Sequence, residues 1–470
     1  MVIATLDPQP SVLARPYRPP APIPHAKPYG SLGLLLALRR NAIEIYGRWN
    51  FEQPVIASTS ILGHITMISA PEGIRHVMVD NAANYVKDRL QRSVLTPGLG
   101  EGLLTAEGDA WHRARRTLAP LFSPRSVESF APAMLAKAQA MVARLLRQPD
   151  GARIDMSAAM TRVTFEILTA TLFSDAIETD AAAFAQMFTR YFENIGKISP
   201  LDMLDAPAWI PRLGKLQARP AIAFFEGQVK SIVQKRRALM ARGAVAPRDL
   251  LTLLLQAADP ETGQGLTEAE VGANIVTFIG AGHETTANAL QWTLFLLSKH
   301  PEARAAAEAE ADGAEGFALH EWPQKLPVLR AVIEEALRLY PPAASMSRAA
   351  LADDEVLGHK IPKGSMVVIS PWVVHRHKLL WSDPDLFRPG RFMPGQREKI
   401  DRYSFIPFGA GPRICIGQRF AQFEMVIALA VLLRSLRFAM PKGEGVMPVQ
   451  RVTLRPSPKL EMLMTRRGAL

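Results

Sequence analysis

The sequence predicts a mainly α-helical protein of the α+β class: a large helical body with a few small β-sheets. Three observations predict it. Helical patterning fills most of the interior of the chain, short β-like runs sit toward its ends (Pro54–Ile68, Glu355–Ser370 and Val446–Met464), and no regular strand–helix alternation joins them. The 470 residues are 48% hydrophobic and 21% charged, which excludes disorder over most of the chain.

The first thirty residues carry Pro8, Pro10, Pro16, Pro19, Pro20, Pro22, Pro24 and Pro28 and read as an extended arm, residues 1–30. No internal repeat or later linker divides the rest of the chain, so residues 31–470 read as one domain. The apolar runs Leu32–Leu38 and Met425–Leu433 are closed by Arg39 and Arg434 and are too short to span a bilayer. With no signal-peptide pattern, the expectation is a cytoplasmic protein, at most peripheral at a membrane. Net charge is +11, but the basic clusters are short and carry no aromatic ladder, so nucleic acid is not the expected partner.

One helix is unusually long. Thr267 can cap it, Glu270 completes a capping box, and the pattern runs to about Ser298. It is apolar nearly all round, so it should cross the core. Its centre nevertheless reads Ile279-Gly280-Ala281-Gly282-His283-Glu284-Thr285-Thr286. Glycines and a carboxylate in a buried helix are costly. They mark either a satisfied polar kink or a helix opened beside a ligand, with Glu284 and Thr285 handling protons. A zinc HExxH motif is excluded, because its second histidine position is Ala287. A later helix places Glu335 and Arg338 three residues apart on one face and stops at Pro341-Pro342.

There is a single cysteine, Cys415, so intramolecular disulfides, iron–sulfur clusters and multi-thiolate zinc sites are excluded. Alone it is either a small buried apolar residue or a lone ligating thiolate. Its setting is Phe405-Ile-Pro-Phe408-Gly409-Ala-Gly411-Pro-Arg413-Ile-Cys415-Ile-Gly417, a glycine-rich loop opening a helix, where free N–H groups and the helix end favour a thiolate. Such a thiolate suits a haem iron.

The segment F-G-A-G-P-R-I-C-I-G resembles the haem-binding signature of the cytochrome P-450 family at every fixed position. Four further stretches resemble the family's motifs in order: Trp111-His-Arg-Ala-Arg115, Ala281–Thr286, Glu335-Ala-Leu-Arg338 and Phe387–Phe392, the last with Gly390 where a glutamate is usual. The resemblance implies the cytochrome P-450 fold, with a long central helix over haem b. It implies that Cys415 is the axial metal ligand, that Trp111, Arg115, Arg348 and Arg413 hold the propionates, and that Phe408, Gly409 and Gly417 shape the loop. Ala281 and Gly282 would lie against the haem, while Thr285 donates toward bound O2 and Glu284 relays protons. Glu335, Arg338 and Arg391 would form a structural triad.

The implied activity is a monooxygenase that hydroxylates or epoxidises a hydrophobic small molecule. Its electrons would come from a separate acidic ferredoxin or flavodoxin with an NAD(P)H reductase, and the enzyme would be a monomer. A peroxide-driven or isomerising haem-thiolate enzyme and a haem-based sensor are the alternatives; Glu284-Thr285 argues against the first, and the open-helix motif and lack of an output domain against the second. Substrate contacts are expected from Val86–Leu104, residues 184–216, Ala343–Ser347 and a turn near Gly445. Arg113, Arg116 and Arg419 are expected to form a positive docking patch.

Overall fold

The computed structural model describes residues 17–468, apart from 61–62, 175–182, 184–186, 188–190, 192–212 and 248. The expected substrate-contact stretch 184–216 lies largely outside the described residues, as do residues 1–16 of the arm. Ten helices carry the argument: α1 (Ser31–Arg40), α2 (Arg89–Leu99), α3 (Gly108–Leu118), α4 (Pro124–Leu145), α5 (Met156–Leu172), α6 (Leu213–Ala241), α7 (Glu268–Lys299), α8 (Pro301–Asp312), α9 (Pro327–Leu339) and α10 (Gln418–Ser435).

Helix α7 starts where the sequence predicts. The Thr267 hydroxyl accepts the Glu270 N–H and the Glu270 carboxylate accepts the Thr267 N–H, which closes the capping box. From Val271 to Leu297 most of its residues are buried, so it is the axis of the core. It packs chiefly on α5, while α10, apolar on nearly every face, packs on α4. Gly282 belongs to the first contact. A Cβ there would lie 2.4 Å from Leu168 Cδ1 of α5, so a larger residue would force that side chain to shift.

The strands are short. Val55–Ser60 (β1), Gly63–Ile68 (β2), Tyr85–Val86 (β3), Met346–Ala350 (β5) and Met366–Ile369 (β8) form one sheet in the order β1-β2-β8-β5-β3, with β2 and β8 parallel. Arg153–Asp155 (β4), Glu461–Arg466 (β12) and Leu436–Ala439 (β9) form a second sheet. Asp354–Val356 (β6) pairs with His359–Ile361 (β7), and Met447–Gln450 (β10) with Leu454–Ser457 (β11). The three β-rich stretches read from sequence contain eight of these strands; β4, by contrast, lies between helices. Three residues are too few for an alternating pattern, and β4 exists because β12 supplies its hydrogen bonds.

The described part of the arm is extended and lies on the body. Tyr17 bridges to Phe387, His25 to Gly47, and the Tyr340 hydroxyl donates to the Pro20 carbonyl. The two ends of the chain also meet. The Asn41 amide donates to the Pro448 carbonyl and accepts the Gln450 N–H.

Candidate functional site

The cysteine loop is held by its own backbone. The Gly409 N–H donates to Ile406, Ile414 to Gly411, and Cys415 to the Phe408 carbonyl at 2.8 Å. Gly411 has φ +69°, and a Cβ there would lie 1.8 Å from the Met78 carbonyl oxygen, so only glycine fits. Cys415 thus sits one turn before α10. Cys415 is exposed, with the Gly417 backbone and the Arg115 charge beside its thiol. Burial pushes the thiol pKa up, and only partial relief comes from the Gly417 N–H and the Arg115 charge. Desolvation outweighs these local donors at the free thiol, and a coordinated cation is what would hold the thiolate.

A cluster of cations lies alongside. The Arg413 guanidinium stacks over Trp111, 4.3 Å from the ring centroid, and donates to the Ala106 carbonyl and the Glu107 carboxylate. The same carboxylate accepts the Lys87 backbone N–H and stands 3.3 Å from Lys87 Nζ. Arg348 reaches the Ser347 carbonyl, and its nearest charges include Arg413. Lys87 and Arg413 thus contact one carboxylate, and Arg348 feels the charges of both Glu107 and the buried Asp88. Burial and the charges of Arg413 and Arg348 pull Lys87 down to about 8. Lys87 belongs to no motif, and the sequence reading missed it; a lysine is read as solvated until its fold buries it.

On α7, Ala281 is exposed, and Gly282, Glu284 and Thr285 are partly so. The Thr285 hydroxyl donates to the Ala281 carbonyl at 2.7 Å. Glu284 accepts the Thr453 hydroxyl at 2.6 Å, and Thr453 accepts from Asn288, which accepts from Gln291. Thr453, from the β10–β11 turn, is the second residue the sequence did not reveal.

Behind the loop, Glu335 and Arg338 are fully buried and joined by two parallel bonds of 2.6 and 2.7 Å. The remaining Arg338 donors reach the His375, Pro384 and Leu386 carbonyls. Arg391 stands 3.6 Å from Glu335 and is pulled down to about 10 by burial. The departure at Gly390 disturbs nothing, since open space surrounds a Cβ placed there. His375 links this cluster to the cysteine loop. Its Nε2 accepts the Ile406 N–H, so Nδ1–H donates to the Arg338 carbonyl.

The docking patch is not as expected. Arg113 pairs with Glu270, and Arg116 with Asp259 and Glu261, while Arg419 stands 3.7 Å from Glu128. The first two partners lie about 150 residues away in sequence and bring acidic groups onto the face that local spacing presented as basic.

A lone thiol in a glycine-rich loop before a helix, together with a polar long helix and a buried cation cluster, defines a class, the thiolate-ligated cofactor enzyme. The comparisons place the chain more closely. The cytochrome P450 family model matches residues 38–464. The chain is 31% identical to cyclooctatin synthase of Streptomyces melanosporofaciens (83% of each chain covered), and 32% identical to cytochrome P450 4F6 of Rattus norvegicus (85% of this chain, 76% of the other). The crystal structure of the cytochrome P450DA haem domain superposes with a TM-score of 0.81 at 26% identity, over 96% of this chain and 99% of that one. The chain belongs to the cytochrome P450 family and is an oxidoreductase of the haem-thiolate monooxygenase class, using a haem, O2, an organic substrate and a redox partner.

Proposed function

We propose that Cys415 ligates the iron of haem b, that Trp111, Arg115, Arg348 and Arg413, joined by Lys87, hold its propionates, and that the enzyme hydroxylates or epoxidises a hydrophobic substrate. The observation that carries this reading is the excess of positive charge beside Trp111: Lys87, Arg348 and Arg413 stand against two carboxylates, Glu107 and Asp88. Buried cations without counter-charge are expensive, and two propionates would neutralise them through charge-assisted bonds. The Cys415 thiol supplies the remaining donor, so these residues fit a haem. When bound, the haem supplies the chemistry of O2 activation and oxygen transfer.

The chain's own residues prepare that chemistry. Phe408, Gly409 and Gly417 hold the thiol loop, while Ala281 and Gly282 leave room on the opposite side. The Thr285 hydroxyl can turn from the Ala281 carbonyl to donate into the pocket. Glu284, anchored by Thr453, stands one residue away as the relay for protons. Val94, Leu95, Leu99, Leu103 and Met346 give the substrate an apolar wall. Glu335, Arg338 and Arg391 keep the loop in place and touch no substrate.

Residues 31–470 act as one domain under the arm, and the enzyme works as a monomer. A net charge of +11 suits a separate acidic ferredoxin or flavodoxin, docking elsewhere than on Arg113 and Arg116. Among the described residues no helix is long and apolar enough to cross a membrane. The exposed Leu32 and Leu36 of α1 support a cytoplasmic enzyme with a peripheral membrane contact.

The deciding experiment is the absorption of the reduced carbon-monoxide complex. The wild type is expected to give the long-wavelength band of thiolate-ligated haem, and Cys415→Ala to lack it. A band that survives the substitution overturns the ligand assignment.

A further inference from the structure

The bond between Thr453 and Glu284 is the last link of a longer chain. Ser157, the second residue of α5, accepts the Leu460 N–H at 3.0 Å and donates its hydroxyl hydrogen to Gln291 Oε1 at 2.7 Å. Gln291 Nε2 donates to Asn288 Oδ1 at 3.3 Å, Asn288 Nδ2 to the Thr453 hydroxyl at 3.2 Å, and Thr453 to Glu284 Oε1 at 2.6 Å. Asn288 and Gln291 stand three residues apart on one face of α7, and both are buried, as is Thr453. The five bonds draw on α5, α7, the β10–β11 turn and the residue before β12.

All of these hydrogens point the same way, and each link fixes the next. The far end is a backbone N–H, which can only donate. With Leu460 bonded to its oxygen, Ser157 gives its own hydrogen to Gln291, the one acceptor it bonds among the described residues. An amide has one oxygen and one nitrogen to present. Gln291 turned with its oxygen to Ser157 shows its nitrogen to Asn288, and Asn288 then shows its nitrogen to Thr453. The single hydrogen of the Thr453 hydroxyl is thereby left for Glu284. Turning one amide over sets two like groups face to face. Turning both strands the Ser157 hydrogen. In buried surroundings either change is costly.

We propose that Ser157, Gln291 and Asn288 are positioning residues that decide which oxygen of Glu284 carries the proton. The chain keeps Oε1 an acceptor from Thr453, so the carboxyl takes up and releases its proton at Oε2, to which no hydrogen bond runs among the described residues. Without the chain, a protonated Glu284 could donate to Thr453 instead, and its proton would be spent inside the protein. The inference rests on the reading of Glu284 as the proton relay and makes that reading specific to one atom. None of the three residues touches the pocket chemistry; they act through Thr453.

The test is infrared spectroscopy of the haem-loaded enzyme carrying isotope-labelled glutamate, in which the Glu284 carboxyl band is the one that Glu284→Gln deletes. Gln291→Glu leaves an acceptor for Ser157 but no donor for Asn288. Asn288 should then turn, offer its oxygen to Thr453 and draw the hydroxyl away from Glu284. The band is expected to move as it does in Thr453→Val, by at least roughly half as much, whereas Gln291→Met, which breaks the chain without turning it, should move it less than about a third as much. In the Thr453→Val background Gln291→Glu should add nothing, because its route to Glu284 is gone. A shift that persists there is a direct effect of the new charge and overturns the proposal, as does an unmoved band in Gln291→Glu alone. If that variant does not fold, a neutron crystal structure of the wild type decides. The Thr453 deuterium is expected on the side of Oε1 and the Asn288 nitrogen toward Thr453; the reverse of either overturns the chain. The two readings fail separately. Unchanged peroxide release by Thr453→Val, during turnover with a plant-type ferredoxin and its reductase, overturns the relay role of Glu284, while the infrared pattern tests the orientation of its carboxyl whatever that outcome.

Discussion

Two buried charge clusters flank the cysteine loop, and they are built on opposite principles. In the Glu335–Arg338 cluster every donor of the arginine is used: two bonds to the carboxylate, three to backbone carbonyls, and none left over. Beside Trp111, the three cations Lys87, Arg348 and Arg413 stand against two carboxylates, Glu107 and Asp88. The first is complete and has no use for a ligand. The second carries more positive than negative charge, and that excess is why we propose it as the place where the propionates are held. Buried charge by itself therefore does not mark function; uncompensated buried charge does.

The comparison can be broken most forcefully at the complete cluster. Glu335→Gln leaves Arg338 buried without its counter-charge, at a cost of about 3–5 kcal/mol, a large share of the stability of a folded domain. The expected result is little or no folded, haem-loaded protein, read by the yield of the thiolate–carbon-monoxide band. A normal yield would mean that the cluster is dispensable. At the deficient cluster the effect should be milder and of another kind. Lys87→Gln removes a charge that is unfavourable without an anion. Apoprotein stability in denaturant should hold or rise, while haem affinity falls roughly tenfold, as for loss of one charge-assisted bond. Equal losses in both measurements would make Lys87 a structural residue.

His375, the bridge between the complete cluster and the loop, gives the comparison a pH axis. Burial and the Arg338 charge hold its pKa near 3, against an ordinary 6.5. The unfolded chain therefore takes up a proton that the folded protein refuses. Stability should fall as pH drops from about 6.5 toward 3, by at most about 1.4 kcal/mol per pH unit from this group. Denaturant titrations at pH 6.5 and 5 should show that slope in the wild type and a shallower one in His375→Asn. The smallest effect is expected at Thr453→Val, which frees the Glu284 carboxylate. Haem absorption should stay unchanged while the fraction of electrons lost to peroxide rises roughly twofold. Unchanged coupling would detach Thr453 from the proton path.

What could be read in the sequence was what is encoded locally. The capping box at Thr267 and Glu270 lies within one turn, and α7 begins there. The glycines around Cys415 fall within one short loop, although what excludes a side chain at Gly411 is the Met78 carbonyl, far away in sequence. The Glu335–Arg338 pair is three residues long. What could not be read depends on segments far apart. Lys87 meets Glu107 only because the loop before α3 folds back, Thr453 meets Glu284 across 169 residues, and the partners of Arg113 and Arg116 arrive from the α7 cap and the turn before it. Periodicity and spacing carry no information about such meetings, so the arginines were placed in a docking patch that their acidic partners occupy.

The bond pair joining Asn41 to Pro448 and Gln450 sets an order of events during synthesis. Nearly all of the polypeptide must leave the ribosome before residue 41 can satisfy its buried side chain. The large sheet waits in the same way, because β2 needs β8, some 300 residues later. Contacts of such long separation slow folding, and they leave the early strands as unpaired edges in the meantime. The nascent enzyme thus passes through a period in which its first sheet is incomplete, and a ribosome stalled before residue 366 would release a chain in which that sheet has never closed.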